Sequence, residues 1–183
     1  MSAEQPDPTR RPDTEFDPDS PAEQPEDALR SLIGRIEHEM ATLQFARFSQ
    51  NDALELGLLL IELGTTRNLP IAIDIRKEAH ILFHVSLPGA TADNEVWVER
   101  KSRTAAQYAE PSLLVGLRGR VGGGRIEDNS WFDQSRYAAH GGAFPVYLKG
   151  TGPVATVTVS GLPQKADHEL VVEALTAFKG TAF

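Results

Sequence analysis

Apolar residues at Leu29, Leu32, Ile33, Ile36, Met40 and Leu43 recur three and four apart. That spacing predicts an amphipathic helix over about 28–45, with Asp27 able to cap its first N–H groups. A second helix follows over about 51–64, capped by Ser49 or Asn51, apolar on most sides and stopped at Gly64. After Pro70 the period changes to two. IAIDIR (71–76) and ILFHVS (81–86) flank KEAH and read as a hairpin. LPGATADN (87–94) forms a loop, and Asn94 caps a helix reaching about Tyr108. Pro111 opens a short further helix, and VGGGR (121–125) is a connection. FPVYLK (144–149) and VATVTVS (154–160) are two more strands joined by GTGP. A last helix starts near Gln164 and carries the stripe Leu170, Val171, Ala174, Leu175 and Phe178. Hairpin pairs separated by helices predict an α+β fold, a central antiparallel sheet with helices packed on it. No internal repeat is present.

Residues 1–26 break the pattern. They hold six of the twelve prolines, and residues 1–27 hold nine acids against Arg10 and Arg11. Such a segment has too little apolar surface to offset its ordering entropy, so it reads as a disordered tail ahead of a single domain over 27–183. The tail also explains most of the net charge of −8, leaving a body with 16 basic and 17 acidic residues. A nearly neutral body has no basic bias for nucleic acid and little repulsion between copies. The chain has no Cys, which excludes disulfides, zinc-thiolate sites and a thiol nucleophile and fits a reducing compartment. Residues 1–26 contain no apolar run of a signal peptide, and LGLLLIEL (56–63) is too short to span a bilayer. The expectation is a cytoplasmic protein without membrane or nucleic-acid partners.

Four stretches carry candidate chemistry. His80 and His84 lie in or beside the hairpin. With a turn at Glu78-Ala79, unbroken pairing sets Ile73 opposite His84 and Asp74 opposite Phe83, so Asp74 and His84 face opposite ways. His84 then packs among aliphatic residues, and His84→Leu is expected to be neutral or mildly stabilising. In WVERKSR (97–103), helical spacing brings Trp97, Arg100 and Lys101 to one side. That group reads either as an anion site beside an indole or as a solvated face paired with Glu95 and Glu99. YAAHGGAFP (137–145) sets His140 beside Gly141-Gly142, where a backbone or ligand can approach closely. SGLPQKADHEL (160–170) places Asp167 and His168 in the first turn of the final helix. The last two stretches are either two turns that contain His or two walls of one pocket. No nucleophile context, phosphate loop or dinucleotide fingerprint appears.

LPGATADNEVWVERKSRT, YAAHGGAFPV and VTVSGLPQKADHELVVEAL, in that order, closely resemble the haem-degrading domain family named after HbpS. That family includes GlcG and the C-terminal domain of PduO. The resemblance covers about residues 28–180 and is nearest to the intracellular branch grouped as an uncharacterised protein family. It implies a profilin-like sheet sandwiched by helices, assembly into homo-oligomers, and a link to haem. It marks Asn94, Trp97, Arg100, Lys101, His140, Gly141, Gly142, Phe144, Gln164, Asp167 and His168 as pocket or interface positions. Under a tetrapyrrole-binding or haem-processing function, His140 (the candidate metal ligand) or His168 approaches iron. Arg100 and Lys101 then pair with propionates, and Trp97 and Phe144 line the porphyrin. Two alternatives stand beside it: a ring-forming interaction scaffold, and an acid–base enzyme on a small carboxylated substrate using His140 and His168.

Overall fold

The computed structural model describes residues 25–181. The tail expected to be disordered lies outside the described residues as far as residue 24. Helix α1 spans Glu26–Thr42 and begins earlier than its apolar stripe, so Asp27 sits in the first turn rather than at the cap, which is Pro25. It also ends earlier than expected. Gln44–Phe45 leave the helix as a two-residue strand, β1.

Helix α2, Gln50–Thr66, starts at a reciprocal cap. Ser49 Oγ accepts from Asp52 N (3.2 Å), and the Asp52 carboxylate accepts from Ser49 N (2.6 Å). Gly64 does not stop this helix. It lies buried within it, where an added Cβ would meet Leu87 and Ile71. Strands β2 (Ala72–Lys77) and β3 (His80–Ser86) form the hairpin, followed by α3 (Ala92–Tyr108) and α4 (Ser112–Val121). A 3₁₀ turn at Ile126–Asp128 follows, then β4 (Ala143–Leu148), β5 (Gly152–Ser160) and α5 (Gln164–Thr181).

The strands form one sheet in the order β1-β4-β5-β2-β3. All pairings are antiparallel except β1 with β4, so the sheet is mixed, with one parallel edge. Two residues are too few to register as a period of two, which is why the pattern hid β1. Ile73, Ile75, Val157 and Val159 point from the sheet into a core shared with α2 and α5. The residues between them, Asp74, Thr156, Thr158 and Ser160, are buried but polar. They face the opposite way, on the side where α3 packs. A smaller core joins Leu29, Leu32 and Ile36 of α1 to Leu113, Leu114 and Leu117 of α4.

The hairpin register differs from the expected one. A bulge between Ile75 and Arg76 leaves Arg76 opposite Ile81 but Ile75 opposite Phe83, so Asp74 pairs with His84. One extra residue moves every later side chain to the other face. Asp74, fully buried, accepts two bonds from Arg76 (2.5 and 2.8 Å) and faces His84 Nδ1 at 3.1 Å. His84 Nε2 lies 2.9 Å from Glu95 of α3. The sequence expectation for His84→Leu is thereby reversed. The variant leaves two carboxylates short of a partner and is expected to lose about 1 kcal/mol or more. Urea denaturation of the parent and the variant checks this, and a gain in stability would contradict it.

Candidate functional site

The site grows from the first turns of α3. The N-cap is Thr91, and Asn94 is the third helical residue rather than the cap, its Oδ1 accepting from Thr91 N at 2.8 Å. One turn on, Trp97 Nε1 donates to Asp93 (3.0 Å), which fixes the indole on this rim. Arg100 lays its guanidinium 4.7 Å over the Trp97 ring and reaches the Tyr137 carbonyl (3.4 Å).

Lys101 goes elsewhere. It is 3% exposed, and its Nζ donates to the carbonyls of Gly141 and Val159 (2.8 Å each) and to Asp167 Oδ2 (2.9 Å). Consecutive residues on a helix are about 100° apart. The two cations therefore do not converge, and the expected Arg100–Lys101 anion pair does not form. Lys101 instead ties α3, the 140–142 turn, the end of β5 and the start of α5 together.

Asp167 is at least as buried and also accepts from Leu162 N (3.0 Å). Burial pushes its carboxyl up to about 6, against the pull of Lys101 and the backbone N–H groups of Leu162 and Gly161.

The turn between 137 and 143 sits tightly on this staple. Gly141 N donates to Gln164 Oε1 (3.2 Å), and a Cβ at Gly141 would collide with the Gln164 carbonyl. Gly142 has φ +123°, a conformation suited to glycine. Ser112 of α4 fastens the turn from behind, donating to the His140 carbonyl (2.5 Å) and accepting from Ala143 N (3.1 Å). The His140 ring is held edge-on to Trp97, centroids 5.2 Å apart. Its Nδ1 lies 3.8 Å from Glu127 of the 3₁₀ turn.

These pieces enclose a cleft of about 390 Å³. Asn94, Trp97, Lys101, His140, Gly141, Gln164 and Asp167 line it, with Asp93, Ser160, Gly161, Leu162 and Pro163. The turn and the start of α5 therefore do form two walls of one cavity. Arg100, Gly142, Phe144 and His168 are not among the lining residues. Phe144 is fully buried in the core. His168 is 1% exposed and turns to α1, its Nε2 2.9 Å from Glu39 and its ring 5.9 Å from Phe144. His140 and His168 thus do not face each other across the cleft as a proton-handling pair, and His168 does not approach a metal there.

Glu127, Ser112 and Glu39 escaped the sequence reading because each acts on a residue distant in the chain and lies in no motif. A second cavity, of about 590 Å³, lies between α4 and the 3₁₀ turn, with Tyr108, Val115, Arg125, Ile126 and Trp131 on its walls. Among the described residues no group of three or more His, Cys, Asp or Glu could hold a metal ion by itself. None of their helices is long and apolar enough to cross a membrane.

Residues 48–176 match the family described as haem degrading protein HbpS-like. A UPF0303 protein of Streptomyces coelicolor is 49% identical over 148 residues, covering 81% of this chain and 94% of the relative. A UPF0303 protein of Paraburkholderia phytofirmans is 46% identical over 149 residues, covering 81% and 88%. Among solved structures, Ybr137w superposes with a TM-score of 0.75 at 30% identity, covering 81% of this chain and 88% of that one. A haem complex of PduOC gives 0.62 at 16% identity over 71% and 94%, a likeness of fold.

Proposed function

We propose, for a chain that belongs to the family of HbpS-like haem-degrading proteins, that the cleft between α3 and α5 binds a tetrapyrrole, with haem the first candidate. The observation that carries this reading is His140, which lines the cleft with its side chain 27% exposed and its ring against Trp97.

The residues present fit the group. An imidazole is a common axial ligand of haem iron. Trp97 offers an aromatic surface beside it, and Leu162 and Pro163 add apolar lining. Under this reading Arg100, stacked on the indole beside the cleft, pairs with a propionate at its rim. Lys101 cannot take that role while Asp167 holds its charge. When bound, haem supplies an iron centre for redox or oxygen chemistry. This chain's part is to ligate through His140, to orient through Trp97 and Arg100, and to keep the walls fixed through the Lys101–Asp167 staple.

The reading includes a homo-oligomer in the cytoplasm. Leu54, Leu58 and Ile81 are exposed, the first two on α2 and the third on the edge strand β3, and a second copy is one natural cover for such an edge. The absence of Cys accords with a reducing compartment.

Titrating the protein with hemin is expected to shift and sharpen the Soret band, and His140→Ala to weaken binding about tenfold or more, the cost of one lost metal ligand or its equivalent. Native mass spectrometry of the same samples reads subunit number and retained ligand together. Identical titrations for parent and variant would remove His140 from the site, and no band shift at all would remove haem.

A further inference from the structure

The cavity of about 590 Å³ beside α4 is lined by residues other than those of the cleft, and its size is that of a small-molecule site. Trp131 stands on its wall and is 64% exposed. The indole is nevertheless held from one side. Phe132 meets it edge-on, ring centroids 6.2 Å apart, and is itself buried in a small core with Val115 and Ala139. Tyr108 and Ile126 pack on that core and also line the cavity. A large ring is thus kept in place on a concave apolar wall with much of its surface uncovered, an arrangement that a flat ligand would complete. Gly124 also lines the cavity, and a Cβ there would meet nothing within 4 Å.

The charged groups decide what kind of ring. Among the lining residues two arginines stand against two acids. Arg118 is bonded to Glu110 and, at 2.9 Å, to Glu37 of α1, so those charges are already matched. Arg125 is 55% exposed, and its Nε lies 3.8 Å from Glu127, longer than a hydrogen bond. Its N–H groups are donors. Asp128 and the Oδ1 of Asn129 are acceptors on the same segment, Asn129 committing its Nδ2 to the Ile126 carbonyl (3.0 Å). An anion would gain from Arg125 and lose to Asp128, and a cation the reverse. A neutral ring with donors and acceptors on its edge uses both.

We propose that this cavity binds a neutral planar heteroaromatic molecule, of the nucleobase or flavin-ring type, stacked on Trp131 with its edge read by Arg125, Asp128 and Asn129. Stacking on an indole accepts any such ring, because each has a π-face. The polar edge distinguishes it from a plain hydrocarbon, which would strip water from those groups without replacing it.

The test uses the full chain, with riboflavin and adenosine as neutral probes and FMN as the anionic counterpart of riboflavin. The chain has two tryptophans, Trp97 in the cleft and Trp131 here, so Trp97→Phe assigns the two indole N–H signals in proton–nitrogen NMR. At least one neutral probe is expected to move the Trp131 signal saturably and to leave that of Trp97 in place. Trp131→Ala should weaken its binding about tenfold or more in equilibrium dialysis, the usual effect of removing one stacking ring. Gly124→Leu, whose added side chain starts in open space, should weaken it as well by occupying the cavity. Circular dichroism confirms that both variants fold. FMN should bind with about the affinity of riboflavin, since the charges on the wall balance. Much tighter binding of FMN would mark an anion site and overturn the neutral class. A Trp131 signal that neither neutral probe moves, or equal affinities of parent and Trp131→Ala, overturns the site. None of these outcomes bears on the haem reading, which concerns the other cavity.

Discussion

Asp167→Ala is expected to cost about 3–5 kcal/mol of stability near neutral pH, the typical penalty for leaving one member of a buried ion pair alone. Lys101 would then hold a charge at 3% exposure without the Asp167 carboxylate, and Leu162 N would lose its acceptor. Four segments meet at that ammonium, so the loss should spread into the cleft as weaker hydrogen-exchange protection at the 140–142 turn and the start of α5.

The pH dependence has a definite sign. Burial raises the folded carboxyl from 3.8 to about 6, so between those values the folded state holds more protons than the unfolded one. The stability this group contributes is full below about pH 4 and declines as pH rises through 6. The gap between parent and variant should therefore be widest in acid and narrow across that window. Urea denaturation at pH 4, 5, 6 and 7 measures it. A gap under 1 kcal/mol throughout would mean that the Lys101–Asp167 contact does not hold the walls.

Gly142→Ala is expected to cost about 3 kcal/mol or more, by adding a side chain where backbone strain and crowding coincide. At φ +123° an alanine is strained whatever the space. Its Cβ would also press on the Val159 carbonyl and lie 2.6 Å from Lys101 Nζ and 3.0 Å from Asp167 Cβ. The neighbours that must give way are a strand backbone and the buried ion pair, so relief on one side breaks the other. Gly123→Ala is the control. It has φ +76° with nothing within 4 Å of its Cβ, so it carries the conformational cost alone, about 1 kcal/mol. Thermal melts of both variants separate the two contributions. Equal melting temperatures would show that the turn at 142 relaxes freely.

Much of this was written in local pattern. The periods of three to four and of two located α1, α5 and the four longer strands, and the signals at Ser49, Asn94 and Pro111 located the helices between them, since a helix face, a cap or an exposed strand is fixed by neighbours a few residues away. Ser49 as a cap and Gly141-Gly142 as a place of close approach were legible for the same reason. The three motifs also marked the stretches that border the cleft.

What each side chain does there was decided by contacts between distant residues. A single bulge turned His84 from the aliphatic face toward Asp74, and nothing in HILFHVS announces it. Arg100 and Lys101 looked equivalent on a helical wheel. Only the packing of α3 on the polar face of the sheet sent one to the surface of Trp97 and the other into a buried pair with Asp167. His140 and His168 looked like partners because their segments meet, yet the first turn of α5 rotates His168 toward Glu39 of α1 while Asp167 faces the cleft. Glu127 comes within 3.8 Å of His140 although no motif joins them. Periodicity records which face of an element is buried. It does not record against what, because the identity of a buried polar group's partner is set by the whole fold, through the requirement that each such group find one.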